Sequence, residues 1–137
     1  MRCYMKKITS NLRKLSGLTL LSVGLFATAQ ASAASACDNA NTQADINKCT
    51  ATELSTEDRK LNKSYSDLQR LLDASEKKQL KTAQLAWIDF RDKACKFSAR
   101  GFSGGSAYPM ASNGCLATYT KQRRVQLDDE IANINNR

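Results

Sequence analysis

Four residues in one short segment constrain the fold more than anything else in the chain. In Gln84-Leu-Ala-Trp87-Ile-Asp-Phe-Arg91-Asp-Lys-Ala-Cys95, the residues Gln84, Trp87, Arg91 and Cys95 follow at spacings of 3, 4 and 4. On an α-helix those spacings stack side chains on one face. The face holds the only Trp of the chain, an Arg beside it and a Cys at its end. A solvated helix would turn its Arg the other way, and a plain hydrophobic core would hold none. The segment predicts a packed helix in which Arg91 meets a specific polar partner, with a covalent tie at the C-terminal end.

The beginning of the chain decides its compartment. Residues 1–33 read as a secretory signal: Arg2, Lys6, Lys7, Arg13 and Lys14 form a basic start, and Leu15 to Ala29 is apolar. Ala31-Ser32-Ala33 is an A-x-A cleavage signature, Ala34-Ser35-Ala36 is a second one, and Met5-Lys6-Lys7 offers an alternative start. An uncleaved membrane anchor is the competing reading; the apolar stretch is short for a stable span. Cleavage after Ala33 leaves one small domain, residues 34–137. The leader carries five of the 21 Lys and Arg and none of the 13 Asp and Glu, so the mature chain holds sixteen cations against thirteen carboxylates, a net +3 rather than +8. A nucleic-acid partner, suggested by bulk charge, loses its support.

Export places the mature cysteines Cys37, Cys49, Cys95 and Cys115 in an oxidising compartment, where they are expected to pair. Four cysteines allow three connectivities. The favoured one is Cys37–Cys49 with Cys95–Cys115, because each bond closes a short local loop. Bonds over loops of this size stabilise by roughly 3 kcal/mol each. Lipid attachment at Cys37 is a competing reading, disfavoured because Ala34 stands where a Leu-like residue is usual and because Cys49 would lose its partner.

Beyond the leader the pattern is helical, with one Pro, Pro109, and no sustained two-residue alternation. From Thr42 the apolar positions run Ile46, Cys49, Leu54, Leu61, Tyr65, Leu68 and Leu72, in either one helix or two. Asp73-Ala-Ser-Glu76 fits a capping box that starts the next helix, whose inner stripe is Leu80, Ala83, Trp87, Arg91 and Ala94 or Cys95. Three glycines and the Pro make residues 99–109 a loop. A last helix starts near Met110 or Ser112 and presents Leu116, Tyr119, Arg123, Leu127, Ile131 and Ile134. The expected fold is all-α: a small antiparallel three-helix bundle with a disulfide-closed loop between its second and third helices.

Polar residues on the inner faces need partners. Asp58 lies between Leu54 and Leu61, with Asn62 four residues on, while Arg91 and Arg123 face inward from the other helices. The economical pairing joins Asp58 to Arg91, Arg123 or both, with Asn62 and Gln84 completing the hydrogen bonds around Trp87. Such a set reads as a register device of the bundle rather than a catalytic site. The chain has no His, which removes His-based general catalysis and His-ligated zinc. Oxidised cysteines supply no thiolate, and Gly101-Phe-Ser-Gly104-Gly105-Ser lacks the Lys of a phosphate loop. No enzyme activity, metal site or cofactor is expected.

The loop between Cys95 and Cys115 is the candidate binding element. Lys93, Lys96 and Arg100 enter it at spacings of 3 and 4 as a positive ridge, and Phe97, Phe102, Ser103 and Tyr108 follow among small residues. A disulfide at the loop's base would lower the entropy cost of binding. The competing reading has Phe97 and Phe102 closing off the end of the bundle.

Taken in order, Asp58-x-x-Leu61-Asn62-x-x-Tyr65, Gln84-x-x-Trp87-x-x-x-Arg91-Asp92-x-x-Cys95, Gly104-Gly105-Ser106, Cys115 and Arg123-x-x-x-Leu127 resemble the LprI-like lysozyme inhibitor family. The resemblance spans Cys37 to about Leu127. It implies a periplasmic or secreted bacterial protein that binds lysozyme, or another peptidoglycan-cleaving protein, and so shields peptidoglycan. A lysozyme active site is a cleft with two carboxylates, which a basic loop suits. The alternative function is a periplasmic envelope-binding or adaptor module without inhibitory activity.

Overall fold

The computed structural model describes Cys37 and residues 40–137. The expected leader, residues 1–33, and both cleavage signatures lie outside the described residues. Three helices make up nearly all of the rest: α1 (Gln43–Leu71), α2 (Ala74–Ser98) and α3 (Tyr108–Asn135), with a 3₁₀ turn at Ala99–Phe102 between the last two. Among the described residues there is no strand and no helix long and apolar enough to cross a membrane.

Local chemistry sets the helix ends. Thr42 caps α1: its hydroxyl accepts from the Asp45 amide at 3.1 Å and donates to the Asp45 carboxylate at 2.7 Å. The helix then runs unbroken through Ser55 and Thr56 to Leu71, which answers the question of one helix or two. Leu72 and Asp73 are extended and reverse the chain within two residues. The expected capping box is present: the Glu76 amide donates to Asp73 Oδ1 at 2.8 Å, and the Asp73 amide donates to Glu76 Oε2 at 2.9 Å.

The turn after α2 uses Gly104 at φ +77°, a backbone conformation that a side chain disfavours. α3 begins at Tyr108, ahead of the expected Met110 or Ser112, with Pro109 in its first turn. Proline ends helices but also starts them, because first-turn N–H groups have no intrahelical acceptor.

α1 and α3 are the closely packed pair. Their meeting residues rise together along the chain: Asn47 with Ser106, Glu57 with Arg124, Ser64 with Asp128. Along α2 they run in the opposite order, with Gln84 meeting Arg123, Arg91 meeting Thr120, and Cys95 bonded to Cys115.

Leu61 and Leu68 of α1 and Leu127 of α3 form the buried apolar cluster, with Tyr65, Leu72, Leu80, Trp87, Ile131 and Ile134 packed around it. Each buried Leu contributes about 1.5–3 kcal/mol. Towards the other end the apolar core shrinks to Cys95 and Ala99. There the two disulfides, Cys37–Cys49 and Cys95–Cys115, hold the fold in the favoured pairing.

Ala83, expected on the inner stripe of α2, is exposed. Three hydroxyls outside the apolar stripes are buried instead: Thr50, Ser64 and Thr120.

Candidate functional site

The inward polar residues assemble around Trp87. Arg91 and Arg123 both lie over the indole, with guanidinium carbons 5.1 and 6.0 Å from the ring centroid, within cation–π range. Arg91 donates to the buried Thr120 hydroxyl at 3.1 Å and to Asp92 at 2.9 Å. Asp58 is its more distant acceptor, at 3.5 Å. The Arg91 side chain is 15% exposed and that of Asp58 44%, so the pair sits at the rim of the bundle rather than inside it.

Gln84 serves Arg123, accepting from its Nε at 3.0 Å. Burial lowers the Arg123 pKa, but a guanidinium starts so high that it keeps its charge. Asn62 is exposed. The pairing is therefore divided: Asp58 with Arg91, and Gln84 with Arg123.

The more buried carboxylate is Glu57, one residue before Asp58, at 15% side-chain exposure. Lys60 pairs with it at 2.7 Å, and Arg124 Nε stands 3.5 Å from its other oxygen without a hydrogen bond. Arg124 also pairs with Asp128 at 2.8 Å, and Asp128 accepts from the buried Ser64 hydroxyl. Burial pushes the Glu57 pKa up, but Lys60 and Arg124 together outweigh it and leave the pKa below the ordinary value. The periodicity missed Glu57 because α1 faces two partners. Its buried surface spans both the α3 side, with Glu57 and Ser64, and the α2 side, with Asp58.

The second candidate lies at the disulfide end. Lys93, Lys96, Phe97, Arg100, Ser103 and Tyr108 line one open groove, so five of the six residues proposed for target binding come together there. The sixth, Phe102, does not line this groove; Phe97 takes that place. Phe97 and Phe102 are both exposed and do not close off the bundle.

Arg100 stacks on Phe97, its guanidinium carbon 4.0 Å from the ring centroid, and donates to the Phe97 carbonyl at 2.9 Å. Lys93 is partly neutralised by Asp89 at 2.8 Å. The Cys95–Cys115 bond ties the foot of the loop. The groove sets three cationic side chains beside an aromatic ring.

A metal reading is weak where it first suggests itself. The Cys37 and Cys49 sulfurs and a Glu53 oxygen lie within 4.8 Å of one another. The two sulfurs are bonded to each other, which leaves no thiolate to act as a ligand.

Comparison with known proteins gives a consistent result. The chain matches the family model described as lysozyme inhibitor LprI over residues 33–127. It is 33% identical over 113 residues to an uncharacterised protein of Rhizobium meliloti (strain 1021), covering 73% of this chain and 81% of that one. No solved structure matches it.

Proposed function

Because the chain belongs to the LprI lysozyme inhibitor family, we propose that it is an exported protein that binds and inhibits a lysozyme, and so protects peptidoglycan. The observation that carries the reading is the disulfide-tied groove of Lys93, Lys96, Phe97, Arg100, Ser103 and Tyr108. Its cations suit the carboxylates of a lysozyme cleft, and its rigid base suits a stoichiometric inhibitor.

The two disulfides support an oxidising compartment, periplasmic or extracellular. Pairing of Cys37 with Cys49 also speaks against lipid attachment at Cys37. The protein acts by occupying its target rather than by chemistry of its own.

Replacing Lys93, Lys96 and Arg100 together with Gln tests the contact. We expect the inhibition constant to rise at least tenfold while stability shifts by no more than about 1.5 kcal/mol, about 0.5 for each of the three surface substitutions. An unchanged constant in the folded variant would remove the groove from the interface. If the protein binds envelope material in a salt-sensitive way and inhibits no lysozyme, the envelope-binding alternative takes its place.

A further inference from the structure

We propose that the outer shoulder of α2 is the principal docking surface, with Phe97 as its anchor, and that it fits a protein cleft lined by carboxylates with an apolar floor. The inference rests on the reading above in taking that cleft to be a lysozyme's.

The first observation is a pair of exposed aromatics. The inner face of α2 is already filled by Leu80, Trp87, Arg91 and Cys95. Phe90 and Phe97 stand off that stripe, on the flank of α2, 56% and 66% exposed. Seven residues apart on a helix, they share one shoulder. Phe90 and Tyr119 meet in a T-shaped arrangement, with ring centroids 5.8 Å apart, and the Phe90 ring stays half exposed. Packing of the bundle accounts for part of Phe90 and for little of Phe97, and exposed aromatics two turns apart on one flank mark a contact surface.

The second observation is rigidity. Arg100 stacks on the Phe97 ring and bonds the Phe97 backbone carbonyl, which favours one arrangement of the pair. The Cys95–Cys115 bond fixes the helix two residues earlier. An aromatic–Arg pair held before binding loses little freedom on docking and has the composition of an interface hot spot.

The third observation is charge. Residues 74–102 hold seven Lys or Arg against three Asp or Glu, a net +4, while residues 40–73 and 103–137 together hold nine cations against nine carboxylates. Beside Phe97 that excess is carried by Lys93, Lys96 and Arg100, which line one groove with the ring, while Lys77, Lys78 and Lys81 lie near the start of α2. This local ridge suits the paired carboxylates of a lysozyme cleft.

The test compares inhibition constants for the oxidised protein and the variants Phe97→Ala, Phe90→Ala, Phe97→Tyr and Leu85→Ala. Leu85 is a comparably exposed apolar residue away from the Phe90–Phe97 shoulder. We expect Phe97→Ala to weaken inhibition about 30-fold, as hot-spot truncations do, and Phe90→Ala to weaken it less. Phe97→Tyr and Leu85→Ala should stay within threefold; helicity should be unchanged in all four, and melting in all but Phe90→Ala, which loses its contact with Tyr119.

If the parent protein inhibits and Phe97→Ala inhibits equally well, the docking surface lies elsewhere while the inhibitor reading stands. If the parent inhibits no lysozyme, the inhibitor reading fails and takes this inference with it. If Phe97→Ala loses binding to anionic phosphatidylglycerol vesicles but keeps full inhibition, the rings serve a membrane, and the proposal is overturned.

Discussion

At the residue scale, hydroxyls decide how the charged side chains settle, and hydroxyls are what periodicity leaves out. Thr120 is fully buried and accepts from Arg91. It sits one position after Tyr119 in the apolar stripe, and no hydropathy pattern distinguishes it. Thr120→Val keeps the shape and removes the acceptor, leaving an Arg91 N–H without its partner. The expected cost is about 1–3 kcal/mol, read from urea denaturation.

Glu57 makes a second prediction. Its pKa is held below the ordinary value by Lys60 and Arg124, so the folded state favours the charged carboxylate. The resulting stabilisation is fully present above the unfolded-state pKa and is lost as pH falls through the lower folded value. Glu57→Gln should therefore lower the urea midpoint at pH 7, and its difference from the parent should shrink toward pH 3. A difference that does not depend on pH would contradict this account. The sequence made Arg91, Gln84 and Trp87 legible because helical spacing puts them on one narrow stripe. It also made the Asp58–Arg91 pair legible, and it left Glu57 out because adjacent positions on α1 face different neighbours.

At the element scale, the helix ends were legible wherever side chains make them. Asp73 and Glu76 form their capping box as their spacing predicts. Asp73→Ala should cost about 1 kcal/mol, visible as a lower melting temperature with the helix content of the folded state retained. The start of α3 was less legible because Pro109 carries two opposite meanings, helix breaker and helix starter, and only the surrounding turn selects one. The pairing of the cysteines followed from locality alone. Removing Cys95–Cys115 by a double Ala substitution should destabilise by roughly 3 kcal/mol. It should also weaken inhibition beyond any loss of folded protein, because the ridge and Phe97 lie at the foot of the released loop. Equal inhibition per folded molecule would show that the tie serves stability alone.

At the scale of the whole molecule, the described residues form a small bundle with few fully buried apolar side chains, two covalent ties and a basic helix presenting aromatics outward. The all-helical class was legible from spacing, and the family from the order of its motifs between Asp58 and Leu127. The proposed docking shoulder was only half legible. The cationic ridge is visible as a helical run, but Phe90 lies off the expected inner stripe and only the structure shows how exposed it is. The most direct measurement of the central claim is a titration of the oxidised protein against chicken-type, goose-type and invertebrate-type lysozymes in a cell-wall clearing assay. The account predicts saturable loss of activity near one-to-one stoichiometry with at least one of them. Full activity of all three, in the presence of excess protein shown to be folded and disulfide-bonded, would contradict it.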